Sequence, residues 1–426
     1  MVPHPCEVSW DEDDLVRVLA PSEQRFVRHG TYTGRSVSVR GALDPAALRE
    51  AFATLRRAYP VVGCRIVEDA AGQGYLLHPD ERAWVQASVR EGDAAEVGLP
   101  LVDPAAQLAY LDVVYSGADR WRVTLFVHHS VADAGHCVAL LTRLWAYYTD
   151  IVEQVPITVV PQDLPRSLEW YVAARGIAKA AASGFEDVTK PLPPEASRPA
   201  DSERPAPAAL ARPRRVRLDA DVTARIVGLG GASGATVNGL LTAALLRAYA
   251  RETAGGAIPL GCLYPVDLRT RLQPPVPGAA GTNMAGLTSF AARVDPAASP
   301  VELAQRISAR LAQDLSEGIV QQSVLHFSDF YGTTRINSLA GHIAVTNTGV
   351  VPAFRIPPTI ELTDYEIVYL SAHPRPSAGA SAAVTFLVYT FAHELTVGVL
   401  GGGAHADGLL AAVRTELTAL SSVCAR

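Results

Sequence analysis

Two periodicities follow each other along the first half of the chain. Valines alternate with polar residues over 35–40, which predicts a strand with one buried face. Apolar residues then recur at helical spacing over 45–59, and Asp44 is a suitable N-cap for that helix. Further strands are predicted over 108–115 and 121–127. The first half is therefore expected to be α/β.

The second half repeats this plan. Strands are predicted over 216–218 and 258–266, and long helices are predicted after the N-caps Thr236 and Ser299. The segment 384–400 is typical of a β-hairpin. A second α/β unit is therefore expected.

A proline-rich segment joins the two halves. Seven prolines lie between Lys190 and Pro213, interleaved with serine, alanine and charged residues. Such a composition favours an extended, solvated linker. We predict an N-terminal lobe over 1–185, a crossover linker over 186–213 and a C-terminal lobe over 214–426.

Length, charge and cysteine spacing narrow the class of protein. A chain of 426 residues is too long for one ordinary core. The net charge is −6 and the basic cluster at 212–217 lies in the proline-rich segment, so no nucleic-acid partner is expected. The five cysteines form no Cys-x-x-Cys pair, which indicates a reducing, cytoplasmic setting. No signal peptide and no membrane span are expected.

The segment most informative about chemistry is 126–136, which reads FVHHSVADAGH. The alternating strand ends at His128 and His129, and helical spacing begins after His136. Asp133 therefore lies in the turn between a strand and a helix. Loops at strand ends commonly carry function in α/β proteins.

Three interpretations of this segment are open. Its polar residues could simply be hydrogen-bonded groups at a strand end. They could bind a metal together with His136, although adjacent strand residues point to opposite faces, which disfavours His128 and His129 as ligands of one ion. One histidine could instead be a general base, since its ordinary pKa is near neutrality. Ser130 is adjacent to His129, which is the wrong geometry for a serine nucleophile, so the substrate itself would be the nucleophile.

A His-His-x-x-x-Asp segment at a strand end resembles the signature of one acyltransferase superfamily. That superfamily contains chloramphenicol acetyltransferase, plant BAHD acyltransferases and condensation domains of nonribosomal peptide synthetases. The segment 264–283 is similar to the family's Asp-x-Arg-x-Arg, Pro-Pro and Gly-Asn pattern, and 346–349 is similar to its Ser-Asn-x-Gly pattern. The greatest similarity is to polyketide-associated acyltransferases of the phthiocerol dimycocerosyl transferase type.

The resemblance implies an α/β fold of two chloramphenicol-acetyltransferase-like lobes in a V-shaped arrangement with a central tunnel. It implies an acyltransferase of polyketide, lipid or nonribosomal natural-product biosynthesis, with no tightly bound cofactor and no metal. The donor would be a phosphopantetheine thioester on an acyl carrier protein or on coenzyme A. The acceptor would be a small-molecule alcohol or amine, and the enzyme is expected to be a monomer.

The same resemblance implies roles for three residues of the motifs. His129 would take the proton of the acceptor. Asp133 and Arg269 match a structural ion pair, with Arg271 as the alternative partner. The competing interpretation makes Asp133 an acid that orients His129.

Four further residues are predicted at the site with less defined roles. His128 is expected to be structural, because it faces away from His129. Asn347 is either a helper near the oxyanion or a turn residue beside Gly349, and His136 either lines the channel or caps the helix. Ser130 is a further candidate channel residue.

The chain departs from the family pattern at Ala134, where the family has glycine. If this position requires a positive φ, alanine is strained there, and Gly135 could take over the turn. Two alternative functions remain open. One is cyclisation or epimerisation of a tethered chain, and the other is a non-catalytic module that recruits carrier proteins.

Overall fold

The computed structural model describes residues 11–98, 100–117, 119–191, 206–280, 283–331, 336–339, 341–375 and 382–423. The strands are β1 Leu15–Val18, β2 Thr31–Gly41, β3 Arg65–Glu68, β4 Gly74–Leu77, β5 Ser88–Glu91, β6 Ala109–Tyr115, β7 Arg120–His128, β8 Lys190–Pro191, β9 Ala209–Ala211, β10 Arg214–Arg217, β11 Ile258–Asp267, β12 Ala285–Val294, β13 Asn337–Ser338, β14 Ile343–Val350, β15 Ile360–Ser371, β16 Val384–Phe391 and β17 Glu394–Gly401. The α-helices are α1 Pro21–Gln24, α2 Pro45–Ala58, α3 Ala134–Val152, α4 Leu168–Ala173, α5 Ala220–Ser233, α6 Val237–Ala254, α7 Pro300–Ser316, α8 Ile319–Gln322 and α9 Ala406–Val423.

Two six-stranded sheets organise the molecule. The first has the order β5-β6-β7-β2-β15-β9, and α2 and α3 pack on one of its faces through a continuous apolar cluster. The second has the order β10-β17-β16-β14-β11-β12 and packs against α5, α6, α7 and α9. Each sheet therefore has its own apolar cluster, because an amphipathic helix and a sheet each need a partner for their apolar face.

Local capping fixes where the predicted helices begin. The Asp44 side chain accepts hydrogen bonds from the first backbone N–H groups of α2, and Thr236 does the same for α6. Ser299 caps α7, whose first residue is Pro300. The predicted helices and the late hairpin are confirmed, and their boundaries agree within a few residues.

The first sheet does not follow the predicted lobe boundaries, because it includes a strand from the second half of the chain. β15 comes from the second half of the chain but pairs antiparallel with β2 of the first, with Ile360 opposite Gly41 and Ser371 opposite Thr31. β9, from the predicted linker, covers the other edge of β15. The exchange therefore pairs an edge of β2 and an edge of β15 that would otherwise be open to other chains. Residues 192–205 of the predicted linker lie outside the described residues.

A network of ion pairs stabilises β15 in the first sheet. Glu366 of β15 is fully buried and contacts the guanidinium groups of Arg122, Arg212 and Arg215 at 2.8 to 3.5 Å. Two of these arginines belong to the basic cluster at 212–217. These two arginines of the cluster are therefore paired with a carboxylate within the protein.

A helix that crosses a bilayer must be long and apolar. Within the described ranges, no single helix is both long and apolar enough to cross a membrane. α5 and α6 meet the criterion only when taken together, and the chain bends by 110° between them.

Candidate active site

A strand end and a helix start fix the loop that carries the histidines. The backbone N–H of His129 donates to the carbonyl of Thr31 at 2.8 Å, which continues the pairing of β7 with β2. Asp133 is the N-cap of α3, and its Oδ1 accepts the backbone N–H of His136 at 2.9 Å. The five residues 129–133 connect the end of β7 to the start of α3.

The imidazole of His129 lies between two aromatic rings. The Phe26 ring, which follows α1, is stacked 4.1 Å from it at an interplanar angle of 16°. The Tyr369 ring of β15 lies on it at 5.9 Å and 26°. Because the two rings come from opposite ends of the sequence, the plane of the imidazole is set by the assembled first sheet.

Hydrogen bonds select one tautomer of His129. Its Nδ1 lies 2.9 Å from the carbonyl oxygen of Ala132, which can only accept. Nδ1 therefore carries the hydrogen, and Nε2 keeps its lone pair. The arrangement makes Nε2 the basic nitrogen of the site.

Asn283 is a site residue that sequence reasoning missed. Its Nδ2 donates to the carbonyl of His129 at 3.2 Å and lies 3.2 Å from Nδ1. Its Oδ1 accepts the backbone N–H of Ala285 and the Nη2 of Arg25, at 3.2 and 3.3 Å, which fixes the orientation of the amide. Asn283 belongs to the Gly-Asn pattern of the motif at 264–283, so the available signal was the motif itself.

The surroundings of His129 keep it uncharged. Burial, and after it the positive charge of Arg25, lowers the pKa of His129 to about 4. The Arg25 guanidinium lies 4.5 Å from the Phe26 ring that stacks on the imidazole. A histidine with this pKa is neutral at physiological pH, so Nε2 is free to accept a proton, and the lowered pKa also makes it a weaker base than an exposed histidine.

Asp133 and Arg269 form an ion pair at 2.6 Å, with side chains only 8% and 6% exposed. Asp133 also accepts the backbone N–H of Met284 at 2.9 Å, and Arg269 also contacts Asp267 at 3.1 Å. The described hydrogen bonds of Asp133 do not include the His129 ring. Arg271, the alternative partner, is exposed. The pair therefore joins the start of α3 to the end of β11.

His128 and Ser130 point away from the base. His128 is fully buried against the edge of the Tyr32 ring on the opposite face of the sheet, and burial lowers its pKa to about 3. Ser130 is also fully buried, and its hydroxyl donates to the carbonyl of Glu23 at 2.8 Å. Both residues support the loop rather than present a group to a substrate.

Two further predicted residues have no described contact with the His129 ring. Asn347 of β14 has its described hydrogen bonds to Asn238 and to the backbone N–H of Gly349. Its contacts are those of a turn residue, and the amide beside His129 is Asn283. His136 is buried in the first turn of α3, where its Nδ1 lies 3.5 Å from the carbonyl of Gly278.

The departure from the family pattern at Ala134 causes no backbone strain. Ala134 and Gly135 are the first residues of α3, and neither has a positive φ. A Cβ atom at Gly135 would lie 3.3 Å from a carboxylate oxygen of Asp267. The motif histidines and Asp133 are not gathered as ligands, and the described residues include no group of three or more metal-binding side chains.

Comparisons with known proteins agree with this geometry. Residues 207–400 match the family model described as "Phthiocerol/phthiodiolone dimycocerosyl transferase C-terminus". The phthiocerol/phthiodiolone dimycocerosyl transferase of Mycobacterium sp. (strain JLS) is 33% identical over 401 residues, which cover 91% of each chain. The solved structure of polyketide synthase associated protein 5 from Mycobacterium tuberculosis has a TM-score of 0.80 at 27% identity and covers 96% of this chain and 99% of its own.

The fold extends to more distant enzymes. The first condensation domain of the calcium-dependent antibiotic synthetase has a TM-score of 0.63 at 18% identity and covers 96% of this chain and 97% of its own. The predicted α/β fold, with two lobes in a V-shaped arrangement, agrees with these neighbours. Sequence and structure together show that the chain belongs to the phthiocerol/phthiodiolone dimycocerosyl transferase family of acyltransferases.

Proposed function

We propose that this chain transfers an acyl group from a phosphopantetheine thioester to a hydroxyl or amine acceptor, with His129 as general base. The observation that carries the proposal is the state of His129, whose Nδ1–H is bound by Ala132 and whose Nε2 is neutral and basic. Membership of an acyltransferase family supports the type of reaction. The donor would be carried by an acyl carrier protein or coenzyme A, and the enzyme would act as a cytoplasmic monomer.

The reaction transfers the proton of the acceptor to the histidine and the acyl group of the thioester to the acceptor. Nε2 of His129 takes the proton of the acceptor, and the acceptor oxygen or nitrogen attacks the thioester carbonyl. The tetrahedral oxyanion then collapses and breaks the carbon–sulfur bond. The departing thiolate then takes the proton from Nε2, which restores the neutral histidine.

The surrounding side chains support direct attack without an acyl-enzyme. Burial raises the pKa of the Cys137 thiol to about 12, so it stays protonated. The Ser130 hydroxyl is buried and donates to Glu23 rather than to His129. Neither residue is therefore placed or charged to act as the nucleophile.

Replacing His129 tests the proposal. His129→Ala should fold normally and lower turnover of an acyl-coenzyme A or acyl-carrier thioester by about 10²–10⁴-fold. His405→Ala, at an exposed position, is the matched control. Intact-mass measurement after incubation with donor alone should show no added acyl group.

Other outcomes would decide against it. A folded His129→Ala protein with native turnover would refute the role of the base, and a stable acyl adduct on Cys137 would refute direct attack. Binding of a carrier protein without any thioester turnover would identify a recruitment module. A product of unchanged mass would identify isomerisation of the tethered chain.

A further inference from the structure

Arg35 lies at the centre of the first sheet and is only 1% exposed. It stands on β2 between Leu125 of β7 and Ile367 of β15. Its Nη1 donates to the Thr33 hydroxyl at 2.6 Å and to the Gly34 carbonyl at 3.3 Å. Its Nε is buried and has no acceptor among the residues that the structure describes.

The other buried arginines of the described chain show what is unusual about Arg35. Each of them is paired with a carboxylate at 2.6 to 3.4 Å: Arg122 with Glu366, Arg247 with Glu416, and Arg269 with Asp133. Arg35 has no carboxylate within ion-pair distance in the same ranges. A buried guanidinium without a counter-charge is costly, so an anion that reaches it gains more than an ordinary surface contact provides.

The groups that face Arg35 can help to bind an anion, but none of them is a carboxylate that is free to pair with the guanidinium. The ionisable residues whose charges act on it are Tyr365, Cys137, Tyr369 and Asp133. Asp133 is already bound by Arg269 and two backbone N–H groups. The Tyr365 hydroxyl is also buried without a described partner, so it is a second donor available beside the guanidinium.

This group of donors is connected to the catalytic histidine. The Arg35 guanidinium folds back onto Thr33, which lies opposite Tyr369 in the sheet. Tyr369 in turn stacks on His129, whose backbone is bonded to Thr31. The guanidinium is therefore about two strand positions, roughly 7 Å, from the level of the base.

We propose that Arg35 binds a carboxylate of the substrate, so that the enzyme selects an acyl donor or an acceptor that carries a carboxylate a few bonds from the reacting atom. The carboxylate would take up the Nε–H of Arg35 and the hydroxyl of Tyr365, both of which are buried donors. This inference rests on the proposed function, because it assumes that the reacting carbonyl lies at Nε2 of His129.

Matched substrates separate the two sources of the carboxylate. In the donor arm, glutaryl- and valeryl-coenzyme A are compared with 1-octanol as acceptor. In the acceptor arm, 6-hydroxyhexanoate and 1-hexanol are compared with valeryl-coenzyme A as donor. The wild-type enzyme should prefer the carboxylated partner in one arm by about ten-fold or more in kcat/KM, the scale of one charged hydrogen bond.

Substitution of Arg35 should remove that preference. Arg35→Met should lower kcat/KM for the carboxylated partner by about the same factor and leave the neutral partner within about two-fold. Arg35→Gln is a second neutral variant in case methionine packs poorly, and Arg40→Met, exposed on the same strand, is the control. Equal rates for carboxylated and neutral partners in both arms would overturn the inference, as would an equal loss for both in Arg35→Met.

A binding measurement distinguishes this inference from the proposed function. Free glutarate should raise the Tm of the wild type and of Arg40→Met, but not that of Arg35→Met. If no substrate pair gives product and this shift is still seen, the proposed function fails while the carboxylate site stands. If transfer occurs but neither a preference nor a Tm shift depends on Arg35, the carboxylate site fails alone.

Discussion

The ion pair between Asp133 and Arg269 allows a quantitative test of how the loop that carries His129 is held. Asp133 caps α3 and accepts three hydrogen bonds, from Arg269 Nη1 and from the backbone N–H groups of His136 and Met284. Arg269 comes from the segment after β11 and also contacts Asp267. The test replaces each partner singly and then both together.

The structure predicts unequal single losses. Removing one partner of a buried pair costs about 3–5 kcal/mol. In Asp133→Ala the half-exposed Asp267 is the carboxylate that still contacts Arg269. Asp133→Ala also removes the N-cap of α3, which adds about 1 kcal/mol. Arg269→Ala leaves Asp133 with two backbone donors, so its loss of unfolding free energy should lie at the lower end of that range. The double variant should lose about 0.5–3 kcal/mol less than the sum of the two single losses.

The pH dependence of the coupling has a definite sign. Burial alone raises the pKa of Asp133, but the charge and hydrogen bond of Arg269 outweigh it and hold this pKa below its ordinary value. The stabilisation is therefore fully present above the pKa of an unfolded aspartate, about 3.9. It is lost as the pH falls through the lower pKa of the folded state.

Urea unfolding at pH 7, followed by circular dichroism, measures these free energies, and turnover is measured on the same samples. Asp133→Asn, which keeps the shape of the side chain, separates the loss of charge from the loss of the cap. Additive losses in the double variant would show that the two residues are not energetic partners. Wild-type stability together with lost activity in Asp133→Ala would show instead that Asp133 orients the base.

Two further predictions concern the environment of His129. Arg25→Met should raise the pKa of His129 from about 4 toward its ordinary value, because the charge that lowers this pKa most, after burial, is removed. The acidic limb of the pH profile of kcat/KM should then move to higher pH, whereas Arg25→Lys should keep it in place, and an unmoved limb in Arg25→Met would contradict the assigned cause. Asn283→Ala should lower kcat, and it should cost about 1–3 kcal/mol in urea unfolding because two donors lose their acceptor. Asn347→Ala is its control, and an equal loss of kcat in both variants would show that Asn283 has no special place at the base.

Interactions between near neighbours in sequence were predictable. The alternation over 121–127, the turn at Asp133 and the helical spacing that follows led to the observed order of β7, loop and α3. The caps Asp44, Thr236 and Ser299 were equally readable, because a cap bonds to N–H groups two or three residues away. The family motif singled out His129 as the candidate base, whereas periodicity alone left three interpretations open.

What lies beside His129 was decided by the tertiary structure. Asn283 is 154 residues away in sequence, and Tyr369 reaches the imidazole only because β15 crosses into the sheet of the other half. The alternation over 35–40 also placed Arg35 on the same face as the buried valines, yet nothing in the sequence indicated that no carboxylate would meet it there. Interactions between residues that are close in sequence depend on local backbone geometry and on neighbouring side chains, so they can be predicted from the sequence. Contacts between distant segments form only when the apolar faces of both halves are buried together. These contacts set the charge and the surroundings of His129, whereas its tautomer is set locally by the carbonyl of Ala132.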